Sequence, residues 1–318
     1  MVAINRIAFM GTPEFALPSL KALLDSGENV VCVVTQPDRP RGRGRKVMAP
    51  PVKELALAAS LPVLQPERIR GEEFHGILRD FKPDIIVLVA FGKILPSSII
   101  TLPPLGTINV HGSLLPRYRG AAPIQWALVN GEEETGVTVM QMDEGIDTGD
   151  ILLQESIAIM PQDTAGTLSA KLAELGGKTL VRALDLLRSD SIQPLQQDDA
   201  RASYAPILQK EDGVVDWSQP AKRISGLIRG LDPWPATVTT LAGRRLRLFS
   251  PQVEENRSCC STFPEPGTIC RADRNGLLVT TGNGCLLIRE VQPEGARRME
   301  VAAFISGRLV EPGTLLGR

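Results

Sequence analysis

Histidine and cysteine are scarce: the histidines are His75 and His111, and the five cysteines are Cys32, Cys259, Cys260, Cys270 and Cys285, with no CxxC pair. Structural zinc sites need such residues at short, regular spacing, so no metal is expected. An odd, scattered cysteine count gives no disulfide framework, and buried free thiols are expected. No apolar run reaches the ~18 residues of a membrane span. The chain enters an apolar strand pattern at once, Ile4 to Phe9, without a secretory h-region or an Arg- and Ser-rich transit segment. A cytoplasmic protein is the expectation. The first strand-to-helix turn, Met10-Gly11-Thr12-Pro13-Glu14, lacks GxGxxG, and Gly42-Arg43-Gly44-Arg45-Lys46 lacks the GK[ST] ending of a P-loop. Neither dinucleotide nor ATP phosphate binding is set up.

What is present is an ordinary soluble composition, 43% hydrophobic and 22% charged over 318 residues, long enough for two domains. The net charge of −1 hides an asymmetry. Residues 1–208 carry 20 basic and 24 acidic side chains, whereas residues 209–318 carry 15 and 12. Within the first part, Asp38 to Lys53 holds six basic residues and one acid. A basic loop on an acidic body is a local anion site.

Residues 1–189 alternate short apolar runs with amphipathic stretches. Strands are expected at Arg6–Phe9, Asn29–Thr35, Asp84–Val89 and Thr107–Val110, and helices up to Ser26, at Val52–Ala59 and at Asp163–Arg188. Thr12 is the expected N-cap of the first helix, with Pro13 in its first turn. Repeated strand–helix–strand units predict an α/β fold with a doubly wound, Rossmann-like, mostly parallel sheet. Residues 190–208 are polar and read as a linker. From 209 to 318 a helix, Ala221–Gly230, accompanies short strand candidates at Val214–Trp217, Thr237–Leu241, Arg245–Phe249, Gly267–Cys270, Leu277–Thr281 and Cys285–Glu290. Such spacing predicts a small antiparallel barrel.

Three stretches could carry chemistry. In Asn109-Val110-His111, positions i and i+2 of a strand face one side, so a carboxamide and an imidazole point together. They sit at a strand end, where doubly wound sheets bind ligands. A satisfied structural histidine is the bland alternative. The acidic loop Asp143-Glu144-Gly145-Ile146-Asp147-Thr148-Gly149-Asp150 fails as a calcium loop, because Ile146 follows its glycine and no Glu closes it. It is either a solvated loop or the source of a carboxylate for His111. Residues 36–53 place Arg39, Arg41, Arg43, Arg45 and Lys46 among glycines and prolines that oppose regular structure, as in a loop that follows a phosphate backbone.

Taken together, Gly11-Thr12-Pro13, the Gln36-to-Lys46 loop, the block from Ile108-Asn109-Val110-His111-Gly112-Ser113-Leu114-Leu115-Pro116 to Ala122-Pro123-Ile124, the Gly136-to-Met142 strand, Gly145 to Asp150, and Asp232-Pro233-Trp234-Pro235 resemble the methionyl-tRNA formyltransferase family. The resemblance covers essentially the whole chain. It implies transfer of a formyl group from 10-formyltetrahydrofolate to the α-amino group of methionine carried by initiator tRNA. It places the family's catalytic residues on Asn109, His111 and Asp147. Its folate-binding segment falls on Ser113, Leu114, Leu115 and Pro116, and its tRNA-binding loop on residues 36–53, with Arg43 central. It makes the C-terminal part an OB-like barrel that adds a basic face for tRNA. No membrane and no obligate protein partner are expected.

The implied chemistry suits the residue types. An amine attacks a formamide-like carbonyl, and Asn109 can donate to the oxygen that gains charge. His111 can act as base or as oxyanion donor, with Asp147 holding its ring. Two rivals remain. A formyltransferase acting on a sugar nucleotide or another small amine would keep the three residues but not need the basic loop. A catalytically silent RNA-binding protein would explain the loop but not the three residues.

Overall fold

The first strand of the chain, β1 (Ile7–Gly11), shows how the core is built. Ile7 and Phe9 enter one apolar layer and Ala8 and Met10 another, all wholly buried. A strand covered on both faces reads as a continuous apolar run. The computed structural model describes residues 4–41, 46–254, 265–307 and 310–317. They pack into two units: Met1–Pro123, Thr135–Ile157 and Ser169–Ala205 in one, and Ile124–Glu134, Ala158–Leu168 and Pro206–Arg318 in the other.

In the first unit β1 is joined by β2 (Val30–Val34), β3 (Val63–Leu64), β4 (Ile85–Val89), β5 (Thr107–His111), β6 (Glu134–Gln141) and β7 (Ile151–Ala158). The order is β7-β6-β5-β4-β1-β2-β3. The pairs β1–β2, β1–β4, β4–β5 and β2–β3 are parallel, and β5–β6 is antiparallel. Its helices are α1 (Leu17–Asp25), α2 (Pro51–Ala58), α3 (Glu72–Asp80) and, from Ser169 onward, α5 (Ala165–Arg188), whereas α4 (Pro123–Val129) is counted with the second unit from Ile124 onward. Leu20 and Leu23 of α1, Val52 of α2 and Leu180 and Leu184 of α5 cover one sheet face; Phe74 and Leu78 of α3 cover the other. Each such side chain contributes roughly 1.5–3 kcal/mol relative to exposure. The chain reverses its direction of travel across the sheet between β1 and β4, the kind of switch point where a crevice opens at the carboxyl ends.

Several local expectations are corrected. Thr12 does not cap α1. Glu14–Ala16 forms a 3₁₀ turn preceded by Pro13, and the Thr12 hydroxyl instead donates to Phe91 O (3.1 Å) and accepts from Gln36 N (3.3 Å). A tertiary contact between strand ends outcompeted the cap. Within the basic stretch, Arg39–Arg41 and Lys46–Met48 pair as a two-stranded antiparallel ribbon, in which both strands are edges and Pro40 is tolerated. Residues 191–205 are not featureless. Leu195 bridges Ile151, and Tyr204–Ala205 pair in parallel with Arg119–Gly120.

The second unit contains α6 (Ala221–Gly230), β8 (Thr237–Leu241), β9 (Arg244–Glu254), β10 (Ile269–Asp273), β11 (Gly276–Thr280), β12 (Cys285–Pro293) and α7 (Val301–Ser306). The antiparallel order is β8-β9-β12-β11-β10, with Met299–Glu300 paired to β12. Leu316 bridges Leu241 at one edge, and Leu315 bridges Thr268 beside the other, so the C-terminal residues close the sheet into an OB-like barrel. Leu246, Leu248, Leu277, Val279, Leu286 and Ile288 fill it, and Ile224 and Ile228 of α6 pack against them. Val214–Trp217 is not a strand. Val214 makes one bridge to Val238, while Trp217 turns into the core and donates to Thr239 Oγ1 at 3.1 Å. Burial alone would raise the Glu290 carboxyl, but hydrogen bonds from Arg298 and Ser250 hold it below its ordinary value.

The cysteines divide. Cys32 and Cys270 are buried free thiols, and burial pushes the Cys32 thiol up to about 12. Cys285 departs from the expectation: it is disulfide-bonded. The register sets Cys285 opposite Glu254, where the described part of β9 ends, a juxtaposition that residue spacing does not reveal.

Candidate active site

The strand β5 reads Thr-Ile-Asn-Val-His and is buried along its length. Ile108 and Val110 enter the core under α1 and α5. By strand alternation Thr107, Asn109 and His111 share the other face. The Thr107 hydroxyl donates to Ile100 O (2.9 Å). Asn109 and His111 lie toward the carboxyl end, each 6% exposed.

His111 Nε2 lies 3.0 Å from Tyr118 O. A carbonyl oxygen has no proton to give, so Nε2 is the donor. In the neutral ring Nδ1 then carries the lone pair, and it faces Asp147 Oδ2 at 3.6 Å. The Asn109 amide Nδ2 lies 3.5 Å from Asp147 Oδ1. The structure therefore brings Asn109, His111 and Asp147 together. The Asp147 carboxylate is fixed by the Gly120 N–H, which donates to Oδ2 at 2.8 Å.

The acidic loop delivers this one carboxylate because its other acids are occupied or turned out. Asp143 accepts from the Gly145 N–H (3.0 Å) and the Thr148 hydroxyl (2.7 Å), closing the loop on itself. Glu144 and Asp150 are exposed. Gln141 N donates to Asp150 O at 2.8 Å, and a Cβ on Gly149 would lie 1.8 Å from Gln141 O, so only glycine fits that approach. Asp147 has φ +54° and Tyr118 φ +62°. Left-handed backbone at two non-glycine residues, both touching His111, stores strain of order 1–3 kcal/mol each, as functional sites do.

The segment Ser113–Pro116 follows directly. Ser113 is wholly buried and its hydroxyl donates to Arg117 O (2.7 Å). Leu115 packs on Met140 and Ile151, and its N–H donates to Thr138 Oγ1 (3.1 Å). Leu114 and Pro116 are half-exposed. Ser113 and Leu115 thus build the segment, and Leu114 and Pro116 are the two that can touch a ligand. Sequence reasoning missed the supports beneath it: Thr138 donates to Ser113 O (2.6 Å), and Gln154 donates to Leu115 O (2.9 Å). Thr138 lies in the expected Gly136-to-Met142 strand, whereas no strand is expected around Gln154, and which residue each faces is set by sheet register. Also missed was the rim where Gln36 Nε2 donates to Phe91 O (2.9 Å), beside the exposed Ala90 at φ +46°.

Of the basic residues, Arg39 is exposed. Arg41 and Lys46 end the paired segments of the ribbon, and Arg43 and Arg45 lie outside the described residues. Asp38, at the base of the ribbon, accepts from Gln65 (2.7 Å) and Lys53 (2.8 Å). These hydrogen bonds, Gln65 first, hold its carboxyl below the ordinary 3.8. Lys53 is therefore part of the anchor. His75 serves α3, its Nε2 bonding to Ser98 O (3.1 Å). Among the described residues no group of three or more His, Cys, Asp or Glu could hold a metal ion.

The formyl transferase family model matches residues 5–184, and its C-terminal domain model matches residues 207–309. Solved structures share the fold at low identity. An N-formyltransferase from Helicobacter canadensis, in complex with folinic acid and dTDP-3-aminofucose, aligns with TM-score 0.67 and 17% identity over 93% of this chain and all of that one. HypX from Aquifex aeolicus in complex with tetrahydrofolic acid aligns with TM-score 0.65 and 17% identity over 95% of this chain and 47% of HypX, so the chain spans about half of that protein. The two family models, over a fold of this kind, define a formyltransferase. Methionyl-tRNA formyltransferase from Desulfotalea psychrophila is 54% identical over 98% of this chain and 95% of its own length, and that from Desulforamulus reducens is 49% identical over 98% of both. The chain belongs to the methionyl-tRNA formyltransferase family.

Proposed function

We infer that the protein transfers the formyl group of 10-formyltetrahydrofolate to the α-amino group of methionine on initiator tRNA, in the bacterial cytoplasm, where translation starts. The observation that carries this reading is the meeting of Asn109, His111 and Asp147 at the carboxyl end of β5, in a chain about half identical, end to end, to methionyl-tRNA formyltransferases. The residues around the triad suit a folate. The exposed Ala90, with its left-handed backbone, and the half-exposed Leu114 and Pro116 offer an apolar border to a flat ring, with polar groups at the triad.

Each residue has a derivable task. The Asn109 amide, only weakly engaged by Asp147 at 3.5 Å, can turn its N–H to the carbonyl oxygen as negative charge grows there. His111 Nδ1 holds the lone pair that can take the proton an attacking amine must lose, and can return it to the departing folate nitrogen. Asp147 lies opposite Nδ1 and supplies the counter-charge while the ring carries that proton. Residues 1–189 are assigned the catalysis and residues 209–318 a share of the tRNA contact, joined by 190–208. Arg39, Arg41, Arg43, Arg45 and Lys46 are assigned to tRNA phosphates.

The test is direct. Protein, 10-formyltetrahydrofolate and methionyl-initiator tRNA are combined, and the amino acid released from the tRNA is weighed. A gain of one formyl group is expected. Formylation of a sugar nucleotide alone would redirect the assignment to a small-amine acceptor, and tight tRNA binding without formylation would remove the catalytic reading.

A further inference from the structure

We propose that Gln197, held by Arg119, is a positioning residue for formyl transfer: it sets the Asp147 loop so that the carboxylate meets His111. The proposal rests on the reading of Asp147 as a member of the catalytic group. Gln197 lies in the polar stretch that sequence pattern makes a linker, yet it is only 8% exposed. Its amide Nε2 donates to Asp147 O (2.8 Å) and to Gly149 O (2.7 Å). Its Oε1 accepts from Arg119 Nε (3.0 Å) and Nη2 (2.8 Å). All four hydrogen-bonding positions of the carboxamide are filled.

These bonds close a ring. Arg119 is 2% exposed, and its Nη2 also donates to Asp199 Oδ1 (2.8 Å). The next residue, Gly120, gives its N–H to the Asp147 side chain (2.8 Å). Gly120 can do so because it tolerates φ +118° and because a Cβ there would lie 2.7 Å from Ala205 O. Asp147 is thus gripped at its backbone by Gln197 and at its carboxylate by Gly120. Arg119 orients Gln197 and precedes Gly120, so both grips share one origin. Left-handed backbone at Asp147 needs such over-determination to persist.

The chemistry predicts which change breaks the device. In Gln197→Glu the volume is kept and Arg119 gains a carboxylate partner, but both N–H donors are lost. A carboxylate oxygen would then oppose two carbonyl oxygens at hydrogen-bond distance. The loop should drift while the surrounding packing stays. A displacement of about 1 Å in a catalytic group costs up to about 100-fold in rate. Gln197→Glu is therefore expected to lower kcat by about 10- to 100-fold, with the KM values for both substrates changed less than about threefold.

Asp147→Asn distinguishes positioning from general support. Because Gln197 acts through Asp147, Gln197→Glu should cause little further loss of kcat in the Asp147→Asn background. Arg119→Lys, which keeps the charge but not the paired donation, should show the same signature, and it carries the test if Gln197→Glu does not fold. Wild-type kcat in the folded variant, or a loss that multiplies fully with that of Asp147→Asn, overturns the proposal. An Asp147→Asn enzyme with unchanged kcat overturns the parent reading instead, and this one with it.

Discussion

At the scale of single residues, the decisive fact is that one ring nitrogen of His111 is already committed. The bond from Nε2 to Tyr118 O leaves Nδ1 facing Asp147, and in the proposed mechanism it is this nitrogen that takes and returns the proton. Removing a positioned base or an oxyanion donor costs about 100- to 10,000-fold. His111→Ala and Asn109→Ala should each lower kcat within that range, measured in the tRNA formylation assay, while thermal unfolding stays close to wild type. Turnover at the wild-type rate in either variant removes that residue from the mechanism. Strand alternation made both residues legible as a pair. Ser113 shows the limit of such reading, since its hydroxyl serves Arg117 O inside the protein.

At the scale of elements, the ribbon Arg39–Arg41/Lys46–Met48 stands on a base anchored at Asp38 by Gln65 and Lys53. Arg43→Ala should weaken tRNA engagement and reduce the steepness with which binding falls as salt rises, by about one counterion. Formylation of a small-amine acceptor should be unaffected. An equal defect with that acceptor would mean the loop serves catalysis and not the tRNA. The anchor itself has a pH signature. Gln65 and Lys53 favour the charged Asp38, so its folded pKa lies below the unfolded 3.8. Its contribution is full above 3.8 and fades as pH falls through the lower folded value. A carboxyl ¹³C titration of Asp38 should therefore show a midpoint under 3.8, and a midpoint at or above it would mean the anchor is absent in solution.

At the scale of the whole molecule, the barrel of the second unit depends on its last residues. Leu316 is 3% exposed, its N–H donates to Gly267 O, and Gly317 N–H donates to Thr240 O, each at 2.9 Å. Closing a sheet removes the exposed edges that otherwise invite association. Leu316→Ala should cost this unit about 2–5 kcal/mol, the range for deleting a buried leucine. Trp126, Trp217 and Trp234 are the three tryptophans and all lie in this unit. Urea unfolding followed by tryptophan fluorescence reads it directly, and an unchanged midpoint would show that closure contributes nothing.

What the sequence determined by itself was everything governed by local periodicity. The buried runs of β1 and β4 declared a doubly wound sheet. The two-residue repeat of β5 paired Asn109 with His111, and the density of arginine singled out residues 36–53 as a basic stretch. Motif resemblance added Asp147 and the substrates. Only the tertiary structure decided that Gln197 reaches Asp147 from 50 residues away, that Thr12 serves Phe91 instead of capping a helix, and that Cys285 is not a free thiol. Faces of a strand follow from backbone geometry within a few residues. Partners across a fold follow from sheet register and from the need of each buried polar group for a bond, and neither is written in spacing along the chain.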